Sequence, residues 1–101
     1  KKLDLRVCGI TSLEPIKKVL LDTKLEELNL GSNKFGDDGF IDLCSVLPRS
    51  SLKKLDLYKC GITSLEPIKK VLTDTKLEEL DLSGNQIKGD RFTLPGCSIK
   101  Y

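Results

Sequence analysis

The sequence predicts an α/β solenoid in which short parallel strands alternate with helices, and two observations carry that prediction. The first is a repeated pattern, LxxLxLxxNx followed by an apolar residue, complete at Leu25, Leu28, Leu30, Asn33 and Phe35. It recurs as KKLDLRVCGI (1–10), SLKKLDLYKCGI (51–62) and KLEELDLSGNQI (76–87), so the chain holds four units. The second is a duplication. Residues 1–38 laid on 53–90 without a gap differ at ten positions only, 6, 7, 21, 29, 31, 32 and 34–37, so the larger unit is a pair of repeats 52 residues long. At 101 residues the chain has room for one domain (1–101), with repeats at about 1–24, 25–51, 52–76 and 77–90 and a cap-like tail at 88–101.

In the first unit Leu3 and Leu5 alternate with Lys2, Asp4 and Arg6, the period of two of a half-buried strand. After the turn Cys8-Gly9-Ile10, the apolar residues Leu13, Ile16, Val19 and Leu20 recur at helical spacing. Thr11 or Ser12 is placed to cap that helix, and Pro15 is tolerable only in its first turn. Its outer side carries Glu14 and Lys18 at i,i+4, repeated as Glu66 and Lys70, which reads as a solvated face rather than a basic patch. The second unit has its strand at Leu28 and Leu30. Phe40, Leu43, Cys44 and Leu47 then give the stripe of an amphipathic helix, with Asp37 or Asp38 near its start and Pro48 at its end. The third unit repeats the first. The fourth follows the second through Asn85 and Ile87 and then departs, with Pro95-Gly96 where a helix should run, so the tail is expected to cap the stack rather than continue it.

The alternation of a Cys-type unit (LDLRVCGIT, LDLYKCGIT) with an Asn-type unit (LNLGSNKFGDDGFIDLC) resembles the ribonuclease-inhibitor class of leucine-rich repeat, which also occurs in the sensor domains of NOD-like receptors. The resemblance covers residues 1 to about 90. It implies a short right-handed horseshoe arc, with the parallel sheet on the concave face, the helices on the convex face, and recognition of proteins through the concave side. The pairs here are shorter than the inhibitor's and no large acidic face is visible, so architecture and mode of binding carry over and the inhibitor's activity does not.

Composition narrows the function classes. Seventeen basic and fifteen acidic residues leave a net charge of +2, too even to indicate nucleic acid or an anionic membrane as partner. No apolar run approaches the roughly 20 residues of a membrane helix, and KKLDLR lacks the apolar segment of a secretion signal. The absence of an initiator Met fits a processed or excised piece. With no His and no Cys-x-x-Cys pair, the usual general base, nucleophile systems and metal ligands are missing, so no enzymatic activity, cofactor or metal is expected. Cys8 and Cys60 occupy the same position two strands apart, roughly 10 Å, too far for a disulfide. All four cysteines are expected to be free thiols in a reduced, cytoplasmic setting, with Cys8 and Cys60 slow to react beneath their turns and Cys97 fastest.

Cys8, Asn33, Cys60 and Asn85 read as structural turn residues, because a turn buried between repeats leaves backbone groups that need partners. Across neighbouring strands Lys2, Glu27, Lys54 and Glu79 alternate in sign, which reads as cross-strand pairing. Five of the ten differences between the halves (6, 7, 29, 31 and 32) fall on outward positions of the strand segments, while the inward leucines do not change. That pattern suggests recognition on a fixed scaffold. The expected function is a non-catalytic protein-binding module that engages its partner through Arg6, Asn29, Asp56, Tyr58, Lys59 and Asp81, with Tyr58 as the anchor. The near-identical halves also fit a second reading, a structural or engineered building block whose role is the fold or its self-assembly. The first strand has no polar segment ahead of it, and a homodimer through that first repeat is the expected consequence.

Overall fold

The computed structural model describes residues 1–89, 91 and 96–101. Strands β1 (Lys2–Asp4), β2 (Glu27–Asn29), β3 (Lys54–Asp56), β4 (Glu79–Asp81) and β5 (Ser98–Lys100) form one parallel sheet in chain order. Helices α1 (Glu14–Asp22), α2 (Gly36–Val46) and α3 (Glu66–Val71) cover one side of it, α1 against α2 and α2 against α3. A 3-10 turn follows α2 at Leu47–Arg49 and another follows α3 at Leu72–Asp74. The register is set by the marker leucines, with Leu3 opposite Leu28, Leu28 opposite Leu55 and Leu55 opposite Leu80. Since side chains alternate across a strand, that register sends Leu28, Leu30, Leu55, Leu57, Leu80 and Leu82 into the core together. Each such leucine contributes about 2 kcal/mol of transfer free energy.

The helices follow from their stripes. Leu13, Ile16 and Leu20 of the first unit and Phe40, Leu43, Cys44 and Leu47 of the second are buried. Pro15 sits in the first turn of α1, where its missing N–H has no carbonyl to serve. The cap differs from expectation. Leu13 is the N-cap residue and makes no side-chain cap bond, while the Ser12 hydroxyl accepts the Glu14 N–H at 3.4 Å. The expected i,i+4 pair is replaced as well: Glu14 meets Lys17 at 3.4 Å and Glu66 meets Lys69 at 3.7 Å, both at i,i+3. In α2, Gly39 lies under Phe35. A Cβ there would come within 2.6 Å of the ring, so a glycine is needed for Phe35 to fold over the first turn of its own helix.

The tail departs from expectation more substantially. It adds a fifth strand, with Ile99 opposite Leu80 and the Leu82 N–H donated to the Lys100 carbonyl at 2.7 Å. Cys97, Ile99 and Tyr101 pack against the core from this strand. Among the described residues no helix lies between β4 and β5, and the fifth strand joins the edge of the sheet directly. The expected interruption at Pro95 lies outside the described residues.

The repeats are stitched together by two asparagines. The Asn33 Oδ1 accepts the N–H groups of Cys8 and Ile10, both at 3.0 Å, and its Nδ2 donates to the carbonyls of Leu5 at 2.7 Å and Leu30 at 3.0 Å. Asn85 does the same one pair later, for Cys60, Ile62, Leu57 and Leu82. The Cys60 thiol is wholly buried and donates to the Leu30 carbonyl at 3.2 Å, and burial pushes its pKa up to about 11. Cys8, expected to lie beneath its turn, is exposed instead, and its thiol is donated to the Arg6 carbonyl of its own turn at 3.5 Å. All four cysteines are free thiols.

Asp37, at the start of α2, makes a second link. Its carboxylate accepts the N–H groups of Thr63 at 2.8 Å and Ser64 at 3.2 Å together with the Thr63 hydroxyl. Partial burial raises the pKa of this carboxyl, but the bonds from Thr63 and Ser64 outweigh it and hold the group below the ordinary carboxylate range.

Asn33→Ala leaves two N–H groups and two carbonyls without their partner and should lower the unfolding free energy by about 2 kcal/mol or more in urea titration. Lys34→Ala, at an exposed neighbour, should change it by less than about 0.5 kcal/mol. Because the Asp37 pKa is lower folded than unfolded, its contribution is complete above the unfolded value and disappears as pH falls through the folded one. Asp37→Asn should therefore be less stable than the parent at neutral pH and show a shallower loss of stability on acidification, read from melting midpoints between about pH 7 and pH 3.

Candidate functional site

The face of the sheet turned away from the helices is an open trough of about 500 Å³, running across all five strands. Its side chains lie in rows, because parallel strands in register bring equivalent positions side by side. The first row is the expected alternation of sign. Lys2 meets Glu27 at 3.7 Å, Glu27 meets Lys54 at 3.9 Å, and Lys54 meets Glu79 at 3.0 Å. These exposed pairs support the sheet modestly and leave little net charge on this side of the trough.

The second row is Asp4, Asn29, Asp56 and Asp81, the last residues of their strands. Each turns one side-chain oxygen onto the backbone two residues ahead and accepts the N–H of Arg6, Gly31, Tyr58 or Ser83 at 2.9 to 3.1 Å. The repeated Asp or Asn thus closes the turn after every strand. Three of the residues expected to bind a partner, Asn29, Asp56 and Asp81, therefore have one oxygen already engaged within their own repeat.

The third row lies beyond the strand ends, where Arg6, Tyr58 and Lys59 had been expected on the strands themselves. The ladder nevertheless continues through it, since the N–H groups of Val7, Ser32 and Lys59 are donated to the carbonyls of Gly31, Tyr58 and Ser83. Arg6 grips Asp4 with a 2.9 Å ion pair, and that hydrogen-bonded guanidinium holds the Asp4 carboxyl below its ordinary range. Tyr58 stands between two glycines of neighbouring strands. A Cβ on Gly84 would come within 3.0 Å of the Tyr58 ring, and a Cβ on Gly31 would lie 3.6 Å from the Tyr58 Cβ. The ring leans over the bare backbone of Gly84, stays 41% exposed, and carries the Lys59 ammonium 5.4 Å from its centroid. The six candidate residues thus fall into two groups: Asn29, Asp56 and Asp81 line the trough, whereas Arg6, Tyr58 and Lys59 form its rim.

Ser98 and Lys100, on the fifth strand, also line the trough and were not among the expected binding residues. Their signal was the period of two in Cys97, Ile99 and Tyr101. Among the described residues no group of three His, Cys, Asp or Glu side chains could hold a metal ion, and no helix is long and apolar enough to cross a membrane.

Family models for leucine-rich repeats match residues 22–44 and, as two copies, residues 50–90. The chain is a leucine-rich repeat protein of the ribonuclease-inhibitor class. It is 33% identical to mouse ribonuclease inhibitor over 99% of its own length and 35% identical to the pig protein over 93%. It is also 35% identical, over its whole length, to human NACHT, LRR and PYD domains-containing protein 14. The chain spans a quarter or less of these relatives, 25%, 22% and 10% respectively. No solved structure matches it significantly.

In this leucine-rich repeat the third residue past the end of each of the first four strands adopts the left-handed backbone conformation, with φ of 55° at Val7, 61° at Ser32, 51° at Lys59 and 77° at Gly84. A β-branched side chain is strained there, and Val7 is 76% exposed, so no packing offsets the strain. Val7→Asn should raise the unfolding free energy by about 1 kcal/mol, measured by denaturant titration.

Proposed function

We propose that this chain is a non-catalytic recognition module that binds a protein partner through the concave trough, with Tyr58 as the anchor. The observation that carries the reading is the setting of that ring, which is exposed at the rim of the trough and seated on Gly84 with Lys59 beside it. An aromatic side chain with only two rotatable bonds, already positioned, loses little entropy on binding and offers a large apolar area. Asp56, on the strand that leads to Tyr58, and Asp81, opposite it on β4, line the trough, so polar groups accompany the aromatic anchor on this face. The relatives named above support a protein partner, since a ribonuclease inhibitor by its name acts on a protein.

The duplication supports the same reading from another side. The inward leucines and the asparagine stitch are alike in the two halves, whereas position 6 is Arg in one and Tyr in the other, and position 7 is Val in one and Lys in the other. The scaffold is held constant beneath a face that varies.

A photo-crosslinking residue at position 58 should capture a discrete protein from cell extract, and the same residue at Lys18 on the convex side should not. Tyr58→Ala with Lys59→Ala should then weaken that partner by about thirtyfold or more, the loss typical of an interface hot spot, with an unchanged circular dichroism spectrum. Capture from position 18 alone, or an affinity indifferent to the double change, places binding elsewhere.

A further inference from the structure

Apart from Leu21, the positions at which the two halves differ fall in two groups. Five lie on the trough side, and four, 34–37, form one run leading into α2. That run reads Lys34-Phe35-Gly36-Asp37 in the first half and Gln86-Ile87-Lys88-Gly89 in the second. Gly36 and Asp37 both reach the third repeat: the Gly36 N–H is donated to the Cys60 carbonyl at 3.0 Å, and the Asp37 carboxylate holds the Thr63 and Ser64 N–H groups. Lys88 turns back instead, with its N–H donated to the Thr63 carbonyl at 2.7 Å. The differing run therefore marks the seam between the second and third repeats.

The seams between successive repeats share a ladder. Leu5, Leu30 and Leu57 donate their N–H groups to the carbonyls of Asn29, Asp56 and Asp81, and the marker leucines stand opposite one another. The seams differ in what else crosses them. Asn33 ties the second repeat to the first and Asn85 the fourth to the third, each by three hydrogen bonds from one amide. Among the described residues no asparagine crosses the middle seam. There the Cys60 thiol, a weak donor, reaches the Leu30 carbonyl, and the half-buried Asp37 carboxylate holds the Thr63–Ser64 turn. Beside that carboxylate two glycines meet. A Cβ on Gly61 would lie 3.7 Å from the Gly36 Cα, and the two residues have φ of 76° and 70°. Bare backbones in contact interlock no side chains, so they can shift past one another. Breaking the Asn33 bonds orphans groups in a dry interior, since that amide is wholly buried, whereas water can take over the bonds of Asp37.

We propose that the middle seam is a joint built into the fold, at which the two asparagine-tied pairs of repeats move against each other, and that Asp37 is its latch. With the latch closed, the Cys60 thiol is wholly covered and α2 packs on α3. With it released, the pairs part along the glycine contact while each keeps its own amide. Arg6 and Asn29 stand on the first pair and Asp56, Tyr58 and Asp81 on the second, so the joint sets the breadth of the trough. Regulation of partner binding by the latch rests on the trough being the binding face. The joint itself does not.

The test needs no partner. Labelling of the Cys60 thiol, followed by mass spectrometry in urea below the unfolding transition, is compared with amide exchange. The Cys60 thiol and the Gly36 and Thr63 amides should open together, about tenfold or more as often as the Ile10 and Ile62 amides that the asparagines hold. Asp37→Ala should speed Cys60 labelling by about tenfold or more and leave the Ile10 and Ile62 amides as they were. Asp38→Ala, at the exposed neighbour, should change neither. A Cys60 rate indifferent to Asp37→Ala overturns the proposal. So does an Asp37→Ala variant in which Cys60 and all of these amides speed up by one common factor, because the carboxylate then serves only global stability. Exchange that runs inward from the first repeat, with Ile10 ahead of Gly36, overturns it as well. None of these results bears on a partner at Tyr58, which the crosslinking at position 58 decides separately.

Discussion

The structure depends on one side-chain amide. A parallel sheet whose strands are three residues long offers few ladder hydrogen bonds, and the chain must turn away from it beneath a neighbouring repeat, where water cannot serve the backbone. Asn33 answers this with two acceptor contacts and two donor contacts, three of them to the preceding repeat and one to its own. No other side chain of that size offers two donors and an acceptor in one plane. With the amide in place, Leu5 and Leu30 keep their carbonyls satisfied, and the leucine rows on either side close over a dry interior. Asn85 repeats the solution for the second pair, which is why the two halves superpose in sequence so closely around it.

That stitch also gives the stack a direction. Asparagine reaches back towards the preceding repeat, while Asp37 and the carbonyl of Leu30 serve the following one, so the two sides of an Asn-type repeat are chemically different. The two sides of a Cys-type repeat differ correspondingly. Stability in such an array is local, each repeat depending on its immediate neighbours. The consequence is visible in Cys8 and Cys60: one turn sequence, CGITSLEP, leaves the first thiol exposed and buries the second, according to whether a repeat stands beside it.

The trough face inherits its order from this scaffold. Register places equivalent positions in rows, so a single substitution in one repeat changes one point on a regular grid without disturbing the leucines behind it. The Lys2–Glu27–Lys54–Glu79 row and the Asx turns occupy much of the polar capacity of the trough. Against that self-satisfied surface the Tyr58 ring stands out, because its neighbours at positions 31 and 84 are glycines and leave it room.

Period and duplication by themselves determined the solenoid, the inward leucines, the helix stripes and the roles open to Asn33 and Asn85, because each of these follows from spacing within one repeat and the burial it forces. The alternating charges at 2, 27, 54 and 79 were legible for the same reason, since register follows from the repeat length. Only the tertiary structure decided matters that lie between repeats or beyond them. It showed that Asn29, Asp56 and Asp81 are partly occupied by their own turns, a local bond that composition does not distinguish from a free carboxylate or amide. It showed Asp37 bridging to Thr63 and Ser64, a contact 26 residues away in the chain and without a counterpart in the second half, where Gly89 takes its place. It also placed Ile99 beside Leu80 as a fifth strand. The period of two in Cys97, Ile99 and Tyr101 was its one mark in the sequence, too short to specify a strand alone, and the strand forms because an adjacent edge offers it hydrogen bonds and an apolar surface.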